Sequence, residues 1–221
     1  TKVTNKHLLP VYNKPMIYHP LMKMKEMGVQ SVLIVSGKVH AGHFLELLGS
    51  GAEFSLRLSY EVQEEAGGIA QALALAEEFC GNESMAVMLA DNIFEDNLKD
   101  EIDNFEKSDS IAHVFLKEVE NPKSYGVARF EGEKLAEILE KPASPPSKFA
   151  VTGLYFYKRD VFEVIRTLKP SARGELEISD VNNHYVKNAG LGYSKLNGFW
   201  CDCGESFDSL MEAAKFIQNR K

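Results

Sequence analysis

The sequence predicts an α/β fold, a mostly parallel central sheet with helices on both faces, and three stretches carry that expectation. Residues 85–89, Met-Ala-Val-Met-Leu, are an unbroken apolar run of strand length. Such runs suit strands buried on both faces between helix layers. Residues 16–35 read as helix, glycine, strand, which is half of a βαβ unit, with Gly28 placed where helices end. Residues 56–79 give an alternating strand followed by a second helix. The 85–89 run stops abruptly at Ala90-Asp91-Asn92. Ligands of open α/β sheets bind outside the carboxyl ends of the strands. Asp91 therefore has two readings: a cap for the next turn, or a carboxylate holding a divalent cation against phosphate oxygens.

Composition narrows the class. The 221 residues suffice for one large α/β domain or two small ones. With 44% hydrophobic and 26% charged residues, a packed core is expected and disorder is not. A net charge of −7 argues against coating nucleic acid, though not against a phosphate ligand met by a metal ion and a few cations. No apolar run approaches the ~20 residues of a bilayer span, and no secretory pattern is expected. Cys80, Cys201 and Cys203 are an odd set, which fits reduced thiols in a cytoplasm. Cys201-Asp-Cys203 lacks the second Cys/His pair that a zinc site needs.

The elements follow in order. Lys2 and Lys6 open the chain, and each reads as a solvated surface lysine. Pro15 suits the start of a helix over 16–27, whose methionines belong to the core. A β-branched strand covers 29–35 and a helix covers 40–48, with His40 and His43 at its surface. The strand over 56–62 leads to Gln63, an amide at a strand end able to donate to and accept from a base edge. Gly67-Gly68 then opens a helix over 69–79; this is a plain turn or a place where a ligand meets the backbone. Beyond 85–89 come a helix over 98–107 and a strand over 112–117. A turn at 121–127 enters a short strand to Phe130, a hairpin tip at 131–133, and a return strand over 134–139 ending in Glu140-Lys141-Pro142. A strong strand covers 149–157 and a helix 161–168. Arg173 stands at the mouth of a helix running to Lys187, where its charge opposes the macrodipole and a bound anion would reconcile the two. A strand over 191–196, the aromatic stretch before Asp202, and a helix to Gln218 close the chain.

Eight stretches, taken together, resemble the sugar nucleotidyltransferases, specifically the glucose-1-phosphate thymidylyltransferases. They are Lys6-His7-Leu-Leu-Pro-Val-Tyr-Asn-Lys-Pro-Met-Ile-Tyr18, Val62-Gln63 with Gly67-Gly68-Ile-Ala-Gln-Ala72, Leu89-Ala-Asp91-Asn92-Ile-Phe94, Ser124-Tyr125-Gly126-Val127, Glu140-Lys141-Pro142, Ala150-Val-Thr-Gly-Leu-Tyr-Phe-Tyr157, residues 169–180, and Trp200-Cys-Asp202-Cys-Gly204. The resemblance implies a three-layer, Rossmann-like nucleotidyltransferase domain over residues 1–221. It implies the joining of dTTP to glucose 1-phosphate, giving dTDP-glucose and pyrophosphate for deoxysugar (rhamnose-type) and surface polysaccharide synthesis. The implied setting is a cytoplasmic homo-oligomer with no nucleic acid or membrane partner.

Roles carry over position by position. Asp91 and Asp202 are implied as Mg²⁺ ligands, and Lys141 and Arg173 as cations on the sugar phosphate. Glu140 is implied to accept sugar hydroxyls, with Leu89, Asn92, Tyr125, Gly126 and Val151 completing that pocket. Gln63 and Gly68 are implied to read the base, and Lys6 to touch the triphosphate. Two other readings share the pattern: a relative using UTP or another hexose phosphate, and a non-catalytic nucleotide-sugar-binding protein.

The departures are specific. The family's first strand and its Gly-Gly-x-Gly-(Thr/Ser)-Arg-Leu phosphate loop are not among residues 1–221, so this stretch alone is expected to be nearly inactive. His7 replaces a common Gln, Cys201 and Cys203 replace Leu and Thr, and Glu205 follows Gly204 where Thr is common. The extra acid is expected to alter metal affinity. The chain also matches the short form of the family, without the helical extension linked to feedback control.

Overall fold

Eight α-helices and twelve β-strands are distributed over residues 5–220, which are the residues described by the computed structural model; Lys2 lies outside them. In order they are β1 (Pro10–Val11), β2 (Lys14–Pro15), α1 (Tyr18–Glu26), β3 (Ser31–Gly37), α2 (Ala41–Leu48), β4 (Arg57–Gln63), α3 (Ile69–Ala74), α4 (Glu77–Cys80), β5 (Met85–Met88), β6 (Asn92–Phe94) and α5 (Lys99–Lys107). There follow β7 (Ala112–Glu118), β8 (Gly126–Glu131), β9 (Lys134–Glu140), β10 (Phe149–Tyr157), α6 (Val161–Thr167), α7 (Ile178–Lys187), β11 (Leu191–Lys195), β12 (Trp200–Asp202) and α8 (Phe207–Gln218).

The pleat of β10 explains the layering. Successive strand residues point to opposite faces. Val151, Tyr155 and Tyr157 pack into one apolar cluster with Val161, Phe162 and Ile165 of α6 and Val181 and Tyr185 of α7. Ala150, Leu154 and Phe156 pack into another with Leu98 and with Phe105 of α5. Helices thus cover both faces of the sheet, as the α/β class requires.

The strand directions differ from the sequence expectation. Among the described residues, only β3–β4 and β11–β7 pair in parallel, whereas β10 runs antiparallel to β5, β7 and β8, and β8 to β9. For β7 to β10 the cause is connectivity: the β8–β9 hairpin returns the chain from β7 to β10, and antiparallel neighbours need no crossover helix. Strand β5 is half-buried rather than covered on both faces, because one of its edges lines a cavity. The helix read over 69–79 is two, broken at Leu75-Ala76. Its neighbour α1 begins two residues later than expected, because Pro15 closes the β1–β2 hairpin instead. His40 is half-buried rather than exposed, while His43 is exposed.

Two strand edges remain open. Among the described residues, β3 pairs only with β4, and β5 only with β10. The free edges of both line a cavity of about 1350 Å³. Its wall includes Val32, Leu33, Ile34 and Val35 on one side and Met85, Ala86, Val87 and Met88 on the other.

His113 of β7 gives a pH dependence. Its Nε2 lies 2.9 Å from Ser194 Oγ, and that hydroxyl donates to Glu101 Oε2 at 2.9 Å. Since the hydroxyl proton goes to Glu101, the imidazole donates through Nε2. Burial lowers its pKa to about 4. The unfolded chain therefore binds a proton that the fold refuses, and stability is full above about pH 6.5 and lost as the pH falls toward 4. His113→Gln is expected to recover roughly 2–3 kcal/mol of the acid loss. Urea unfolding at pH 4.5 and 7.5 measures it; equal pH dependence in both proteins refutes it.

Candidate active site

A short ladder that sequence reasoning missed brings the two candidate metal carboxylates together. Strands β6 and β12 pair antiparallel, with Asn92 opposite Asp202, Ile93 opposite Cys201 and Phe94 opposite Trp200. Cys203 N–H donates to the Asp91 carbonyl at 2.8 Å, and Gly204 N–H donates to Asp202 Oδ1 at 2.9 Å. Asp91 is buried; its Oδ2 accepts from Lys6 Nζ at 2.6 Å and its Oδ1 from Asn92 Nδ2 at 3.0 Å. Burial opposes its charge, but the His7 ring and the Lys6 ammonium outweigh burial and hold the carboxyl well below the usual range. Asp202 goes the other way: burial, then the charge of Asp91, pushes its pKa up to about 6. One ammonium thus serves two carboxylates. Such a pair of hard oxygen donors, with excess negative charge, fits Mg²⁺. No group of three or more His, Cys, Asp or Glu ligands occurs among the described residues, so such an ion would draw its other ligands from phosphates and water.

Asn92 holds this corner. Its Oδ1 accepts from Gly153 N–H at 2.9 Å and from Trp200 Nε1 at 2.7 Å, while its Nδ2 supports Asp91. Only one amide N–H is left for a ligand. The β10–β7 register shifts between Val151 and Tyr155, and there Gly153 bonds to Asn92 and accepts from Leu89 N–H at 2.8 Å. A Cβ at Gly153 would lie 2.7 Å from the Asn92 amide, so the position needs glycine.

Beside this corner lies a cavity of about 170 Å³. Leu89, Asn92, Tyr125, Gly126, Glu140, Lys141, Val151, Arg173 and Asp202 all line it. Lys141 adopts φ +42°, a left-handed conformation unusual for a lysine, and its N–H donates to the Tyr125 carbonyl at 3.0 Å. No salt bridge joins Lys141 to a carboxylate among the described residues, which leaves its ammonium available to an anion. Arg173 is different. Helix α7 starts five residues beyond it, and its guanidinium meets Glu177 at 2.8 Å, Glu140 at 3.4 Å and Glu175 at 3.8 Å. The anion expected beside Arg173 is supplied by the chain's own carboxylates. Glu140 is further held by the Ser179 hydroxyl.

Lys6, Gln63 and Asp91 line the larger cavity instead. Gln63 ends β4, and its Nε2 donates to Gln71 Oε1 at 2.6 Å and to the Gly68 carbonyl at 3.3 Å. Gln71 Oε1 also accepts from Gly67 N–H at 3.1 Å. With its donors engaged, Gln63 presents a carbonyl oxygen, which can accept an imide N–H. Gly68 has φ +94° and packs where a Cβ would meet the Leu176 carbonyl at 2.5 Å. The glycine turn thereby rests on the loop that carries Arg173. Leu89 and Ile69 line both cavities, so the two meet there, with Asp91 on one side of the seam and Asp202 on the other.

Sequence reasoning did not single out Gln71, Gly153, Glu177 or Ser179. Gln71 lies close to both base readers, and Glu177 sits four residues after Arg173, so both had a local signal. Gly153 and Ser179 lie in family-like stretches, but each matters for a partner distant in the chain, Asn92 and Glu140.

Known proteins place the chain in a family. The family profile described as nucleotidyl transferase matches residues 1–220. A glucose-1-phosphate thymidylyltransferase of Neisseria meningitidis is 42% identical, over 99% of this chain and 77% of its own. One of Mycobacterium tuberculosis is 42% identical, over 97% and 75%. A Bacillus anthracis crystal structure, assigned to glucose-1-phosphate thymidylyltransferase and solved with sucrose, superposes with a TM-score of 0.94 at 47% identity, covering 99% of this chain and 89% of that one. A UDP-glucose pyrophosphorylase bound to UDP-glucose superposes at 0.85 with 26% identity, covering 98% and 91%. The chain belongs to the nucleotidyl transferase family, in its glucose-1-phosphate thymidylyltransferase branch.

Proposed function

We propose that this chain joins dTTP to glucose 1-phosphate, giving dTDP-glucose and pyrophosphate. The observation that carries the reading is the seam at Leu89 and Ile69. A large cavity bearing Gln63 and Lys6 meets a small one bearing Glu140, Lys141 and Arg173 there, and Asp91 and Asp202 flank the junction. The reaction needs an in-line approach of the sugar phosphate oxygen to the α-phosphorus, with pyrophosphate leaving opposite. It demands positioning and charge neutralisation rather than covalent help.

The roles divide by place. Lys141 holds the sugar phosphate, and Arg173 joins it by exchanging its Glu177 and Glu140 contacts for phosphate oxygens. Glu140, released from Arg173, accepts sugar hydroxyls. Lys6, now paired with Asp91, is placed to contact the triphosphate. Asp91 and Asp202 would hold Mg²⁺, which would neutralise phosphate charge. We further propose a single domain over residues 1–221, completed by an extended strand between β3 and β5, working as a cytoplasmic homo-oligomer that supplies a nucleotide sugar to deoxysugar and surface polysaccharide synthesis. No helix among the described residues is long and apolar enough to cross a membrane.

The Gln63 carbonyl sets the base test. Thymine and uracil carry an imide N–H and cytosine does not. Relative kcat/KM for pyrophosphate release with glucose 1-phosphate is expected to favour dTTP over CTP by at least about a hundredfold, because CTP leaves the half-buried Gln63 acceptor unpaired. UTP should fall between, since it lacks only the methyl group. CTP turnover equal to dTTP would overturn the assignment of Gln63. UTP turnover above dTTP would transfer the function to the uridine nucleotide.

A further inference from the structure

Tyr125 and Glu205 form a contact that none of the roles above uses. Tyr125 stands on the hairpin side of the small cavity, just before β8, with its N–H on the Pro122 carbonyl at 3.0 Å and its carbonyl accepting from Lys141. Its ring meets Trp200 edge to face, with centroids 5.2 Å apart. Its hydroxyl donates to the Glu205 carboxylate. Glu205 lies in the turn between Asp202 and Ser206, the residue that caps α8. One wall of the cavity is the β8–β9 hairpin with Gly126, Glu140 and Lys141; the other is β12 with Trp200 and Asp202. The tyrosine–carboxylate bond ties these walls together at the rim.

We propose that Glu205 is a positioning residue that latches Tyr125 over the sugar-phosphate cavity and so sets affinity for the sugar 1-phosphate. The proposal rests on the reading of that cavity given under Proposed function. Glu205 is exposed and bonds to no other side chain among the described residues, so replacing it leaves the core intact. Breaking the latch frees one cavity wall, and a ligand must then order it again, which raises the cost of binding.

The test uses Glu205→Ala, Glu205→Gln, Tyr125→Phe and the Ala/Phe double variant. Trp200 is the chain's one tryptophan, so its emission reports on the Tyr125 ring directly. Glu205→Ala is expected to shift that emission and to raise KM for glucose 1-phosphate about five- to tenfold, a factor typical of one hydrogen bond. With Mg²⁺ saturating, KM for dTTP and kcat should stay within about twofold. Glu205→Gln keeps an acceptor oxygen and should recover most of the loss. The double variant should be no worse than Tyr125→Phe. Additive losses, a kcat fall without a KM change, or equal shifts in both KM values would overturn the latch. If the wild-type chain does not bind glucose 1-phosphate, the proposed function fails; the latch then stands or falls on ligand-free Trp200 emission, and identical spectra for wild type and both Ala and Phe variants would refute it.

Discussion

Asp91→Asn and Asp202→Asn are each expected to cut pyrophosphate release by about a thousandfold, yet to move stability in opposite directions. Both substitutions keep the shape and remove one charge from the junction of the two cavities. Rate suffers alike because either loss halves the carboxylate charge available to hold a divalent cation against the phosphates. Stability does not, because the two acids sit in opposite fields. Asp91 is held low by His7 and Lys6 against burial. Its depressed pKa contributes stability above the unfolded value, lost as the pH falls, and Asp91→Asn also strands Lys6. This variant should melt lower at neutral pH. Asp202 is raised to about 6 by burial and by Asp91. The fold therefore binds its proton more tightly than the unfolded chain does, and stability falls as the pH rises from about 4 to 6. Asp202→Asn removes that penalty and should raise stability by up to roughly 2 kcal/mol above pH 6. Adding Mg²⁺ should stabilise the wild type there and not the variant. Thermal melts at pH 5 and 7.5, with and without EDTA, read all of these. Loss of rate with no divergence in stability would remove the electrostatic account of the pair.

The pattern of what was legible follows from where the signals lie. Strand β10 and the end of α8 coincide with the sequence expectation because nine contiguous strand residues and a long helix each carry their own periodicity. Strand β6 was invisible: three residues starting with Asn92 read as the end of a strand, and their partner β12 is remote in sequence. The antiparallel run of β5 was hidden for the same reason, since an apolar run says that a strand is covered and not which way its neighbour points. Most candidate site residues were found, because carboxylates, cations and glycines at element ends are local marks. What they do to one another was not. Nothing near Arg173 tells that Glu140, on another hairpin, shares its charge, or that Asn92 spends its amide holding Gly153 and Trp200.

Filling the slot between β3 and β5 is expected to have the other large effect. Both strands present rows of unpaired backbone groups along a cavity of about 1350 Å³ walled by Val32, Leu33, Ile34 and Val35 and by Val87 and Met88. Open apolar edges invite association and leave polar groups exposed. An extended apolar segment laid between them would satisfy two edges at once, and the loop following it would emerge at the carboxyl ends of the strands, beside Lys6 and Asp91. A chain carrying such a strand and the glycine-rich, arginine-bearing loop ahead of Thr1 is therefore expected to outpace residues 1–221 in pyrophosphate release by on the order of a thousandfold, the scale of one arginine on a transferring phosphoryl group. A gain of about 3 kcal/mol from the paired edges and buried side chains would raise Tm by roughly 6–12 °C. Two controls separate the contributions. Replacing only the loop arginine with alanine should lose the rate and keep the Tm. Placing a proline at the middle of the added strand should lose both, because proline cannot donate to a ladder between two partners. Equal rates and equal melting of the longer and shorter chains would show that the slot is not a strand site.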